Sequence, residues 1–136
     1  RYAFEEISRY IRPFVYWLSL AKKLSPTGNP IKAGDVLDEA ELLRAIGESA
    51  DLTRELDSLC RLKPFQSDAR KPAGQLSRVL QKMVDMEYFV VLGHSKTLYR
   101  ATARLSVFYD MIAFIRDYEQ LADPEDDDEQ MELLDG

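Results

Sequence analysis

The sequence is poor in the residues that carry metal and covalent chemistry. It has one cysteine, Cys60, and one histidine, His94, so an internal disulfide is excluded and no Cys/His set for structural zinc is present. The glycines are scattered rather than gathered into a phosphate-cradling loop, and any Ser/His/Asp or Cys/His arrangement has a single histidine to draw on. Paired carboxylates at Asp38, Glu39 and Glu41, and at Glu55 and Asp57, have the spacing ordinary on capped, solvated helices. No apolar run approaches the roughly 18 residues that a membrane span requires. The expectation is a chain that is not an enzyme, binds no metal or cofactor and does not enter a membrane. One unpaired thiol suits a reducing, cytoplasmic compartment, and a start at Arg1 rather than Met is expected of a fragment or processed form.

What the chain does have is enough material for one domain with a real core: 136 residues, 46% hydrophobic and 31% charged. Its formal charge of -6 is unevenly distributed. From Asp123 to Asp135 there are eight acids and no base, and without them the body carries 18 bases against 16 acids. Within that body, Arg61 to Arg104 holds nine basic residues and three acids, a net of +6, between two mildly acidic flanks.

Periodicity places helices on most of the body. Apolar residues at 4, 7, 11, 14, 18 and 21, widened by Ala3, Tyr10, Trp17 and Leu24, predict a helix over Phe4 to Leu24. Pro13 predicts a kink, or two consecutive helices, within it. The Ser25-Pro-Thr-Gly-Asn-Pro30 stretch ends that helix. Asp38 is a good N-cap for a second, to about Glu48, with Glu41 three residues on and Gly47 as the stop. A third is expected over Asp51 to Leu62 and a fourth over about Ala73 to Glu87, with Leu76, Val79, Leu80, Met83 and Val84 on one stripe. Between these two, Lys63 to Pro72 reads as a polar connection. Tyr88 to Leu92 and Thr97 to Thr102, joined by Gly93-His-Ser-Lys96, predict a hairpin that must lean on the helices. A last helix over Arg104 to about Leu121 carries Leu105, Phe108, Ile112 and Ile115. The expected fold is thus mainly α with one β-hairpin, one domain over 1–122, followed by an acidic tail over 123–136 that is too poor in apolar residues to fold alone.

A helix running directly into a two-stranded ribbon and then a closing helix is the order of the winged helix-turn-helix superfamily. Gly74-Gln-Leu-Ser-Arg-Val-Leu-Gln-Lys-Met-Val-Asp-Met-Glu-Tyr-Phe-Val-Val resembles the recognition helix and first wing strand of MarR- and PadR-type regulators. The likeness covers about residues 73–118. It implies a winged helix embellished by an aromatic N-terminal helix and a C-terminal helix. Lys63 to Pro72 is longer than the usual turn of three or four residues, and Glu87-Tyr88 stands where such regulators often have glycine. Winged helices that serve as protein-binding modules, such as the kleisin-associated subunits of condensin-like complexes, show similar drift.

The basic element fits two partners. On the resemblance, helix 73–87 enters a major groove with Gln75, Ser77, Arg78 and Lys82 toward it, because Arg and Gln can bind guanine and adenine bidentately while Ser and Lys hold phosphates. Lys96, Arg100 and Arg104 on the ribbon and its exit then hold the DNA backbone. Arg78 and Lys82 equally suit the solvated outer face of any packed helix. His94 reads as an exposed turn residue and Cys60 as a core residue. Phe4, Tyr10, Phe14, Trp17, Phe108 and Phe114 are apolar enough for a homodimer interface through the terminal helices, or for those helices to pack on each other within one chain. The tail reads as a solubilising appendage, as a docking segment through Met131, Leu133 and Leu134, or as a competitor of DNA on the basic face. The leading expectation is a DNA-binding regulator or nucleoid-associated factor. The alternative is an interaction subunit of a chromosome-maintenance or condensin-like assembly.

Overall fold

A computed structural model describes residues 2–94 and 97–121, with side chains over 11–94 and 97–114. Its elements are α1 (Tyr2–Leu24), β1 (Val36–Asp38), α2 (Glu39–Gly47), α3 (Ala50–Leu59), α4 (Pro72–Asp85), β2 (Phe89–Leu92), β3 (Leu98–Ala101) and α5 (Ala103–Leu121). The chain is mainly helical with a small antiparallel sheet. The acidic tail, Ser95 and Lys96 lie outside the described residues.

The helix starts follow local chemistry. Asp38 caps α2 by accepting from Ala40 N at 3.0 Å, and Ser49 caps α3 by accepting from Leu52 N at 3.2 Å. Each satisfies a backbone N–H that the first turn leaves unpaired. Helix α4 opens differently, with Lys71 at its N-cap making no side-chain cap and Pro72 in the first turn, where a missing N–H costs nothing. Helix α1 runs through Pro13 as one element rather than two. Pro13 is buried against the core and gives residue 9 no N–H, a local loss that the packing of the rest of the helix offsets.

Where a hairpin alone was expected, the sheet has three strands in the order β1-β3-β2. Val36, Leu37 and Asp38 pair with Arg100, Tyr99 and Leu98 of the central strand, and Phe89 to Leu92 pair with Ala101 to Leu98 on its other side. Gly34 N donates to Ala101 O at 2.8 Å and Ala101 N to Asp35 O at 2.9 Å, extending the β1 pairing by one step. The third strand relieves the marginal stability of an isolated ribbon. Tyr99 reaches across it to donate to Glu39 Oε1 at 2.9 Å; burial, and then that carboxylate, push the phenol up to about 12.

One cluster of buried side chains joins the elements. At its centre the Phe14 ring lies 5.8 Å from Phe65, 5.8 Å from Tyr88 and 5.0 Å from Phe108, in tilted and edge-on arrangements that suit aromatic quadrupoles. Trp17 meets Phe89, which meets Tyr99, carrying the cluster to the sheet. Phe14, Trp17 and Phe108 are therefore core residues of a single chain, 2%, 0% and 2% exposed. This corrects their assignment to a dimer interface: rings spent on intrachain packing offer no surface to a second copy. Phe114 is 62% exposed, while the side chains of Phe4 and Tyr10 fall outside the described residues.

Helix α4 ends in a Schellman motif, with Glu87 N donating to Val84 O and Tyr88 N to Met83 O, both at 2.9 Å. The motif needs a left-handed residue, and Glu87 supplies it at φ 68°. A β-carbon in that conformation costs about 1–2 kcal/mol. Glu87→Gly should therefore raise the unfolding free energy by about 0.5–1 kcal/mol after the flexibility glycine adds to the unfolded chain. Urea unfolding with an unchanged m-value checks this.

Candidate nucleic-acid interface

Two sides of α4 have different fates. Leu76, Val79, Leu80 and Met83 are buried against α2, α3 and β2, and Ser77, Arg78, Gln81 and Asp85 are exposed. Lys82 is half-buried beside that open stripe. The exposed positions recur at helical spacing, so they form one continuous ridge. Gln81 Nε2 donates to Asp85 Oδ1 at 3.0 Å, which holds the acid at the far end of the ridge.

Gln75 is not on that ridge. It is 2% exposed, and its Nε2 donates to Asp57 Oδ1 at 2.8 Å and to the Ala69 carbonyl at 3.2 Å. The expectation that Gln75 reads a base edge is corrected accordingly, since its amide is spent tying α3, α4 and the intervening connection together. Periodicity holds the signal that finds this: Gln75, Val79 and Met83 stand four apart, in the buried row. The Gln75 bond, and then Arg61, hold the Asp57 carboxyl below its ordinary range.

The connection from Cys60 to Lys71 is fixed to α4 along its length. Phe65 is fully buried beside Phe14, Ser67 N donates to Cys60 O at 2.9 Å, and Arg78 Nε donates to Gln66 O at 3.4 Å. The Cys60 thiol donates to Gln75 O at 3.6 Å, and burial pushes it up to about 11, so it is an inert core group. Gly74 faces the connection, and a β-carbon there would lie 3.1 Å from that of Ala69. A segment that reads as a polar linker is thus part of the α4 surface.

Basic residues of the segment separate into distinct environments. Arg61 is paired with Asp57 through Nε at 3.2 Å and Nη2 at 3.0 Å. Arg104, expected on a DNA backbone, is half-buried with its guanidinium 5.2 Å from the Tyr88 ring centre, a cation–π contact that engages part of its charge in the fold. Arg100 is exposed on the outer face of the sheet, in register with Val36 and Val90. Lys96 is outside the described residues. What remains is concentrated on α4 and the connection: Arg78 and Lys82 on the helix, with exposed Lys63, Arg70 and Lys71 before it. Lys63, from the connection, lines a cleft of about 430 Å³ together with Ser67, Asp68, Arg78 and Lys82.

Among the described residues no group of three His, Cys, Asp or Glu could hold a metal ion, and no helix is long and apolar enough to cross a membrane. No protein-family model, curated protein or solved structure matches the chain.

Gln75→Ala should lower stability by about 1–3 kcal/mol, the usual cost of removing a buried hydrogen-bonding partner, in urea unfolding. A group whose folded pKa is depressed adds stability above its unfolded value, near 3.9 for Asp, and that stability is lost as pH falls through the folded value. Asp57→Asn should therefore flatten the acid limb of the stability profile below about pH 4, measured as melting temperature against pH.

Proposed function

We propose that this chain is a non-catalytic winged-helix protein that binds duplex DNA through the open ridge of α4. The observation that carries the reading is the convergence of Lys63, Arg78 and Lys82 on one cleft beside that ridge, against the single lining acid Asp68, in a chain whose longest acidic run is the 123–135 segment. Support for the fold assignment comes from element order: a helix, α4, runs through a tight cap into β2, the β2–β3 ribbon follows, and β1 closes the sheet beside β3. In this reading Ser77 and Gln81 face the groove, where an amide recognises base edges and a hydroxyl recognises phosphate, while Arg78 and Lys82 hold the DNA backbone from the cleft beside it. Arg100 reaches a flanking strand, and Gln75 and Arg104 act through the fold rather than by contact. The regulator or nucleoid-associated role is the one expected of such a binder.

A second reading has its own observation. The outer face of the sheet exposes Val36 and Val90, 55% and 43%, around Arg100, an apolar strip more typical of a protein-docking face than of a DNA contact. It corresponds to the interaction-subunit alternative.

Fluorescence anisotropy with a short duplex separates the two. Wild type should bind with an affinity that falls as salt rises, and Arg78→Ala/Lys82→Ala should lower the slope of log K against log salt by about 1.8, two phosphate-equivalent contacts. Wild-type binding no tighter than that of the double variant at about 50 mM salt sinks the DNA reading and leaves the docking face.

A further inference from the structure

Three cations from two elements meet at the cleft between the connection and α4. Lys63 comes from the start of the connection, and Arg78 and Lys82, one helical turn apart, come from the adjacent side of the helix. Bringing like charges together is unfavourable, and within the cleft they face one acid, Asp68. No ion pair within 4.0 Å joins Asp68 to any of the three among the described residues.

The groups are also oriented. The Gln66 carbonyl accepts from Arg78 Nε at 3.4 Å, a long contact that turns the Nε–H toward the connection and leaves the two Nη groups for a planar or tetrahedral anion. Ser67 Oγ accepts from Ala69 N at 3.0 Å, which holds the hydroxyl in place while its own proton stays available to donate. Phe65 and the Ser67-to-Cys60 backbone bond keep the connection from swinging away. Among the described residues no aromatic ring lines the cleft, so they offer nothing for a base to stack on. Its chemistry suits a phosphodiester and not a nucleobase.

We propose that Lys63, Arg78 and Lys82, with the Ser67 hydroxyl, form a seat for one backbone phosphate of duplex DNA, set beside the groove-facing ridge of α4. This rests on the DNA-binding reading and adds to it a contact from the connection. The link from Cys60 to Lys71 then has a role of its own: it carries one wall of the seat, Lys63 and Ser67, which a short turn would lack. Asp68 acts as a brake, opposing the anion from inside the cleft.

The test is a salt titration of a short mixed-sequence duplex with wild type, Lys63→Gln, Asp68→Asn and Lys22→Gln. Lys22 is exposed in the last turn of α1 and is not among the residues that line the cleft, and it controls for net charge. Lys63→Gln should reduce the salt slope by about 0.9 and weaken binding roughly eightfold at 0.1 M salt, the value of one counterion-releasing contact. Asp68→Asn should tighten binding, and Lys22→Gln should leave the slope unchanged. Wild-type binding with a Lys63→Gln slope equal to wild type overturns the seat and leaves the DNA reading standing. Equal losses in Lys63→Gln and Lys22→Gln also overturn it, because the effect is then one of total charge. No wild-type binding at low salt removes the DNA reading and the seat together.

Discussion

The packing of Phe14 is the contact on which the arrangement of the molecule depends. Its ring touches Phe65 of the connection, Tyr88 at the end of α4 and Phe108 of α5. Four parts of the chain that are distant in sequence are thereby held at fixed distances, and burial of so much aromatic surface is the largest favourable term available to a chain whose single cysteine allows no internal disulfide. The basic surface inherits its geometry from this core. Phe65 anchors the loop that carries Lys63, and Tyr88 fixes the cap from which α4 passes into the sheet.

Charge on this chain is informative only after its partners are assigned. Arg61 is paired with Asp57, Arg104 is engaged with Tyr88, and Arg100 lies on the outer face of the sheet in register with Val36 and Val90. The remaining cations of the segment's described part sit on α4 and just before it, so a diffuse surplus in the sequence becomes a local one in space. Long-range attraction of a polyanion depends on such local excess rather than on the net charge of the chain.

How much of this was legible follows from what periodicity can and cannot carry. The helices were readable because each repeats an apolar residue every three or four positions, and Asp38 announced its helix through its own capping chemistry. Strand β1 was not, since three residues between Asp35 and Glu39 are too few to alternate and their pairing is with Arg100, far along the chain. Residue type points Gln75 outward, while its spacing from Val79 and Met83 puts it in the buried row. In the connection the sign is Phe65: one large aromatic in a polar loop is costly in water, and its burial makes the linker a wall of the candidate site. Glu87, standing where such regulators often have glycine, adopts the left-handed conformation because the Schellman bonds and the Tyr88 core contact over-determine it.

The claim at the centre of this account is that duplex DNA lies across α4 and the connection together. Amide chemical-shift mapping during titration of the intact chain with a short duplex addresses it directly. Perturbations should cluster at residues 63–68 and at Ser77, Arg78, Gln81 and Lys82, with the buried row of α4 and α5 from 103 to 112 little changed. Shifts confined to the outer face of the sheet or to the exposed sides of α1 and α5, or no shifts at low salt, would contradict it.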